Sequence, residues 1–484
     1  MFNLNYNFFT QITILLILIF IIFSNTDINR DGIAYIQQAM LISESYDLSS
    51  IIKQYPWPFF SYLIYFFSKI TTLDFYYAAK LINLIFSWIS IFIFIKIIKY
   101  LTHDNKLYYA SLAIVITFIP LIDNYLTMIL RDHGAWCFYL LGILNALKFI
   151  KEKKYIFSFY SQLFFIIGFL FRPDIIILMV ASSFVIFLKN KNFKHLYKSN
   201  VLILILFIIV FILALFDFTS IQDSRLNELW QRPLDLINQF FMPLNIQSNN
   251  FILSQYISKN YIEIKLGIIS SIFIAKWFSG FGLFHLVLFY FGKKNDKKYF
   301  LNDDLKNYLL WLFFVSILIV YINTYINNIV TVRYLMISYW IALIFSSLGL
   351  HFVWIKYQHK LIRILITLII FIHICINIYD KEKKSIEIDV ANWLKSNNVI
   401  INNLYSNNER IIFYTHKKLN KRVEYNSRID FRKYHYLLID DKNNLQYDEN
   451  EINLIKEKIN KDFKSINEFK RNGRSIVFYE KKDF

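Results

Sequence analysis

Apolar runs long enough to cross a bilayer recur along most of this chain, and nothing else in it constrains the fold as strongly. A transmembrane helix needs roughly 20 apolar residues, fewer where its ends snorkel to the interface. About eleven such runs can be read, near 8–23, 78–98, 107–122, 135–147, 155–171, 175–188, 201–216, 266–291, 308–321, 335–354 and 361–378. The 484 residues are 56% hydrophobic, with a mean hydropathy of +0.40. A soluble chain of that make-up would expose too much apolar surface. The expected fold class is therefore an α-helical polytopic membrane protein.

The connectors between the runs orient it. Every second one is short and basic, with Lys96, Lys99 and Lys106, then Lys148, Lys151, Lys153 and Lys154, then Lys189, Lys191, Lys194 and Lys198, then Lys293, Lys294, Lys297, Lys298 and Lys306, then Lys356, Lys360 and Arg363. The positive-inside rule assigns these to the cytoplasm. The alternate connectors carry Asp31, Glu44, Asp47, Asp123, Asp132, Asp174, Asp217, Asp223, Glu228 and Asp235, and are expected outside. No basic residue precedes Gln11 and no small-x-small site follows the first run, so that run is expected to be a retained span. The expected location is the cytoplasmic membrane of a bacterial-type cell, with everything from about 380 onward outside.

Two cysteines, Cys137 and Cys375, both in apolar runs, imply no disulfide framework and no cysteine metal site. The net charge of +18 reads two ways: contact with anionic lipid or phosphate, or a chain drifting toward Ile, Lys, Asn, Phe and Tyr codons together. No Walker loop, GxGxxG or Ser/His/Asp order is present, and no nucleic-acid partner is expected.

The first outer loop, 25–77, is too apolar for a solvated loop. Pro56-Trp57-Pro58 introduces Phe59 to Phe67, the pattern of a helix lying in the interface, with a further pair of short spans as the other reading. In the outer loop 217–265, Leu226 to Phe241 has helical spacing. The tail, 380–484, changes character: helices over Asp389–Leu394 and Glu451–Phe463, and strands over 399–401, Tyr436–Ile439 and Ser475–Tyr479, predict a small α/β domain.

Ionisable groups at a membrane boundary are costly without a partner or a task. Asp31 stands beside Arg30, with Tyr35 one helical turn on. It reads either as a helix N-cap or as a general base that takes a proton from an acceptor hydroxyl or amine. Arg131-Asp132-His133 precedes the fourth span. Asp132 reads as a cap, as a second acidic group for the acceptor, or with His133 as a ligand pair for a divalent cation, the one cofactor suggested. Phe171-Arg172-Pro173-Asp174 is a tight outer turn, and Arg333-Tyr334 is the cationic start of a late span. A guanidinium fork suits a lipid phosphate, yet each arginine reads equally as a snorkelling end. Lys276 interrupts the run 266–291 and marks either the interface or a phosphate contact. His285, His351 and His373 sit singly in apolar runs and read as hydrogen-bonded packing histidines.

The order of these motifs resembles the GT-C membrane glycosyltransferases: Asp31, Gly32, Tyr35 and Ala39 in the first outer loop; Pro56 to Phe67; Ala79-Lys80-Leu81-Ile82-Asn83 opening the second span; Arg131-Asp132; Phe171-Arg172-Pro173-Asp174; Arg333-Tyr334-Leu335; and Ala391-Asn392-Trp393-Leu394 opening the tail. It is most similar to the bacterial branch akin to protein O-mannosyltransferases and lipid A aminoarabinose transferases. The resemblance implies inverting transfer of a sugar from a polyprenyl-phosphate donor, at the outer face, to a glycan, lipid or protein acceptor. Asp31 would be the base, and Arg172 and Arg333, with Lys276, would contact the donor phosphate. Arg30, Tyr35, Arg131, Asp174 and Tyr334 would line the substrate site. Two departures are visible: the first-loop Asp has no neighbouring Glu, and Gln54-Tyr55-Pro56 stands where many aminoarabinose transferases carry Glu-Lys-Pro. The alternatives are a polysaccharide flippase or other transporter, which predicts charges buried mid-span and short loops, and a polysaccharide polymerase or ligase.

Overall fold

The computed structural model describes residues 2–24, 27–44, 48–102, 107–190, 200–203, 205, 261–295, 299–300, 302–379, 386–397, 399, 404–416, 431–440, 449–471 and 474–482. In chain order the helices are α1 (Phe2–Ser24), α2 (Arg30–Glu44), α3 (Leu48–Gln54), α4 (Phe59–Thr71), α5 (Phe75–Thr102) and α6 (Leu107–Ile116). A π-helical turn, Pro120–Tyr125, leads to α7 (Asp132–Glu152), α8 (Tyr155–Phe171) and α9 (Ile175–Asn190). Then come α10 (Tyr261–Phe281), α11 (Leu283–Lys294), α12 (Asp303–Asn327), α13 (Val332–Lys356) and α14 (Lys360–Tyr379). The tail holds α15 (Ile386–Ser396), β1 (Leu404–Ser406), α16 (Glu409–His416), β2 (Tyr436–Asp440), α17 (Glu449–Asp462), β3 (Phe463–Arg471) and β4 (Arg474–Lys481). The expected span 201–216 and the helix Leu226–Phe241 lie outside the described residues, apart from 201–203 and 205.

The chain divides into two compact units, Met1–Ser24 with Asp47–Lys381, and Asn25–Tyr46 with Glu382–Phe484. The first is that of a helical membrane protein. Among the described residues five of its helices are long and apolar enough to cross a bilayer: Phe75–Thr102, Asp132–Glu152, Glu263–Phe281, Asp303–Asn327 and Val332–Lys356. The apolar window of α13 is wholly buried, so α13 is the central post of this unit. It meets α11 at a glycine seam. A Cβ at Gly292 would overlap the Phe345 carbonyl, and one at Gly349 would overlap the Leu288 carbonyl. Small residues let the two backbones touch, as between membrane helices generally, and Ser346 Oγ donates across the seam to the His285 carbonyl at 3.0 Å.

Two expected spans are interrupted. The run 107–122 stays α-helical only to Ile116. There Thr117 Oγ1 donates back to the Ala113 carbonyl at 2.9 Å, and Pro120, which has no N–H to give, opens the π turn. The run 266–291 is two helices, because Gly282 takes a φ of +79°, which side-chain-bearing residues rarely adopt. The interfacial segment is one helix, α4. It buries Phe60, Ser61 and Ile64 and leaves Tyr62, Phe66 and Ile70 exposed.

The second unit is a four-stranded sheet of order β1-β2-β4-β3, parallel between β1 and β2 and antiparallel elsewhere. Alternation along β2 feeds two cores. Leu438 joins Ile386, Val390, Leu394, Ile411, Ile476 and Phe478 under α15 and α16. Leu437 and Ile439 join Tyr405, Phe431, Ile455, Ile459 and Phe463 under α17. The strand expected at 399–401 is not one where described: Val399 is irregular, 400 and 401 lie outside the described residues, and the first strand is Leu404–Ser406. Glu451–Phe463 is helical only to Asp462, and the sequence reading missed β3. The segment 25–46, expected to stand with the membrane part, belongs to this unit. Its helix α2 packs on α16 and buries Gly32, Ile33, Tyr35, Ile36, Gln38, Ala39 and Ile42.

Candidate functional site

In the first unit three segments far apart in sequence bring their charged ends together. Asp132 opens α7, where the helix dipole favours a carboxylate. Gly134, one turn's face away, has no Cβ because one would overlap the Phe171 ring. That absence lets the end of α8 approach α7. Phe171 is then fixed edge-on by Phe59 and Phe86, with ring centroids at 5.0 and 5.2 Å, and Trp57 Nε1 donates to the Leu170 carbonyl at 2.5 Å. The Pro-Trp-Pro element therefore clamps the turn that carries Arg172.

Arg172 reaches Asp132 with Nη1 at 2.5 Å and pairs with Asp174 through Nη2. Asp132 and Arg172 are 3% and 5% exposed. The other oxygen of Asp132 faces Arg333 Nε, at the start of α13, at 3.8 Å. Tyr334 joins the two cations, its ring 4.8 Å from the Arg172 guanidinium carbon and 5.3 Å from that of Arg333. Arg131 is buried beside Asp132 and stacks at 5.7 Å on Tyr55. Burial alone would lower the Arg172 pKa, but Asp174 and Asp132 outweigh it and hold the guanidinium charged. Burial, opposed by the Arg333 charge, pushes the nearby Tyr125 phenol up to about 12, so it stays neutral. Among the described residues the cluster gathers three guanidiniums and two carboxylates. It can hold one further anion, provided that anion offers oxygens to the less enclosed Arg333, whose side chain is 24% exposed.

His133 belongs to the scaffold. Its Nε2 donates to the Tyr125 carbonyl at 3.0 Å, and its Nδ1 accepts from Ser87 Oγ at 3.0 Å, which fixes the π turn. Both nitrogens are engaged, and no group of three His, Cys, Asp or Glu side chains converges among the described residues. The cation expected on Asp132 and His133 thus has no third ligand there. Lys276 is exposed on α10, and among the described residues no hydrogen bond or ion pair joins its side chain to the cluster. His285 and His373 are hydrogen-bonded as expected, to Thr117 and the Ile114 carbonyl and to the Ile369 carbonyl. Both line a cavity of about 300 Å³ with Pro120, Gly280 and Val332.

Sequence reasoning quoted Lys80 and Asn83 in the motif that opens the second span but gave neither a role. Lys80 is 2% exposed, donates to the Ile22 carbonyl at 3.1 Å and lies 4.7 Å over the Tyr76 ring. Asn83 Nδ2 donates to the Met128 carbonyl at 3.0 Å. With Ser87 they form one polar face of α5, a spacing that was available as a signal.

The second unit holds Asp31. It lies in the first turn of α2, half-buried, with Arg30 exposed and Tyr35 buried. Tyr35, expected to line the substrate site, is 1% exposed and lies on the buried face of α2. Below α2 lies a polar network. Asp440 accepts from Arg474 Nε at 3.0 Å and from Asn408 Nδ2 at 2.7 Å. Arg474 Nη2 donates to Glu387 at 2.9 Å, and Arg410 Nη1 stands 3.6 Å from the same Glu387 oxygen. Burial would raise the Glu387 carboxyl, but the Arg474 hydrogen bond and the Arg474 and Arg410 charges hold it below its ordinary 4.5.

A buried, arginine-rich cluster at helix ends, set in a helical membrane protein, is the class of site defined here. Neither family models nor curated proteins give a match to this chain.

Proposed function

We propose that the protein is a multi-pass membrane glycosyltransferase that moves a sugar from a polyprenyl-phosphate donor to an acceptor at the outer face of the cytoplasmic membrane. The observation that carries this reading is the meeting of Asp132, Arg172 and Arg333 from three distant segments. In the transfer the bond from the sugar's anomeric carbon to the lipid phosphate breaks, and a bond to the acceptor oxygen or nitrogen forms. The acceptor's proton passes to a carboxylate, and the lipid phosphate leaves with an added negative charge. Arg333 meets that charge, where a preorganised cation is worth most. Arg172 is engaged by two carboxylates and holds Asp132 and Asp174 in place. Asp31 is the acceptor's base, and Asp132 a second acidic group that orients Arg333.

The make-up of the second unit supports the outward tail. Residues 25–46 and 382–484 fall in one compact unit, as expected of segments on one side of a membrane joined by an even number of crossings. The eleven-run reading, with its alternating basic connectors, meets that condition.

The test is reconstitution with radiolabelled lipid-linked sugar. Covalent transfer to an acceptor is expected from the wild type, and about a 100-fold lower rate from Arg333→Ala. Translocation of the lipid without transfer, or wild-type rates from Arg333→Ala, overturns the reading.

A further inference from the structure

The residue read as the base sits on a helix that the tail has made its own. Ile28, two residues before α2, is 1% exposed, and its N–H donates to the Tyr414 hydroxyl at 2.9 Å, across 386 residues of sequence. The next carbonyl, that of Asn29, accepts the first helical bond of α2 from Ile33 at 3.1 Å. The entry to the helix is thus pinned three residues before Asp31. Tyr414 is on α16, which packs on both α2 and α15.

What holds α16 is the buried network. Asn408, just before it, accepts from the Arg410 N–H at 3.0 Å in capping fashion, and gives its amide to Asp440. Asn407 bonds the Asp440 backbone both ways, at 2.8 and 3.0 Å. Arg474 ties Asp440 to Glu387 on α15. Asp440 and Glu387 are 0% and 2% exposed, so neither Arg474 bond yields without leaving a buried charge uncompensated. A continuous chain of hydrogen bonds and packed helices therefore runs from the sheet to the first turn of α2.

We propose that the tail domain is the holder of Asp31, with Tyr414 as a positioning residue that sets the start of α2 through the Ile28 N–H. This rests on the reading of Asp31 as the base.

The experiment uses the full chain in lipid nanodiscs, as wild type, Tyr414→Phe and Asp31→Asn. Tyr414→Phe keeps the ring and removes the acceptor oxygen. Amide exchange across 28–36 should quicken about fivefold, the worth of one hydrogen bond. Exchange across Tyr436–Asp440 stays unchanged and certifies a folded tail. In the transfer assay its kcat falls about tenfold with the donor KM unchanged, as for a displaced reacting group. Asp31→Asn keeps normal exchange and loses transfer. Unchanged exchange in Tyr414→Phe overturns the holder role, whatever Asp31 does. Faster exchange with unchanged kcat, where Asp31→Asn is inactive, overturns the positioning role. Full transfer by Asp31→Asn overturns the base assignment instead, and leaves the exchange result standing.

Discussion

Arg172→Gln and Asp132→Asn break the same ion pair, yet they should not cost the same. Removing Arg172 strips both Asp132 and Asp174 of their partner. Asp132 is then a carboxylate 3% exposed, facing only the more distant Arg333 at 3.8 Å and the neighbouring Arg131. Breaking a buried pair costs about 3–5 kcal/mol because a charge is left uncompensated, and the remaining arginines bring this to the lower end, about 3 kcal/mol. Asp132→Asn leaves Arg172 paired to Asp174 and places an amide oxygen where the carboxylate oxygen was, for about 1 kcal/mol. In the double variant no carboxylate is stranded at 132, so its cost should fall short of the sum by about 1 kcal/mol or more. The assay is unfolding in mixed micelles titrated with SDS, followed by tryptophan fluorescence. An Asp132→Asn variant as unstable as Arg172→Gln, or a strictly additive double variant, refutes the view that Arg172 serves two buried carboxylates.

Gly292→Ala or Gly349→Ala forces α11 and α13 apart, since the new Cβ would overlap a facing carbonyl. Each should cost about 1–3 kcal/mol in the same titration. Gly267→Ala, with nothing within 4 Å of the added carbon, should instead be neutral or stabilising by up to about 1 kcal/mol. Because Glu387 titrates below its ordinary 4.5, its contribution to tail stability is fully present above that pH and is lost as the pH falls through the lowered value. Amide exchange across Tyr436–Asp440 should therefore lose protection on acidification below about pH 4.5, once corrected for the intrinsic rate, and less steeply in Glu387→Gln.

The apolar runs were legible because a bilayer demands length and composition, which a sequence carries openly. Their interruptions were not. Gly282 and the Thr117–Pro120 bend are single-residue events inside otherwise continuous hydrophobicity. Arg131-Asp132, Phe171-Arg172-Pro173-Asp174 and Arg333-Tyr334 stood out as charges at the edges of apolar runs, and the structure brings them together. Lys276 stood out by the same rule and lies exposed elsewhere, because the rule reports cost and not direction. Lys80 was quoted in a motif but given no role: it sits within a helix, and its partners, a carbonyl of α1 and the Tyr76 ring, have no pattern of their own. β3 was missed because Phe463–Arg471 is charged along an edge, where a strand needs no apolar alternation. The transfer of 25–46 to the tail rests on contacts hundreds of residues distant, which no local pattern encodes.

The Ile28–Tyr414 bond also has a meaning for biosynthesis. At ~5–20 residues per second, the ribosome needs roughly 20–80 s to make the 386 residues between the two. Throughout that interval the apolar stripe of Ile33, Tyr35, Ile36 and Ala39 exists without the helix that will pack on α2. A chain terminated anywhere before α16 would carry that bare stripe permanently, which makes it a natural mark for quality control of unfinished molecules.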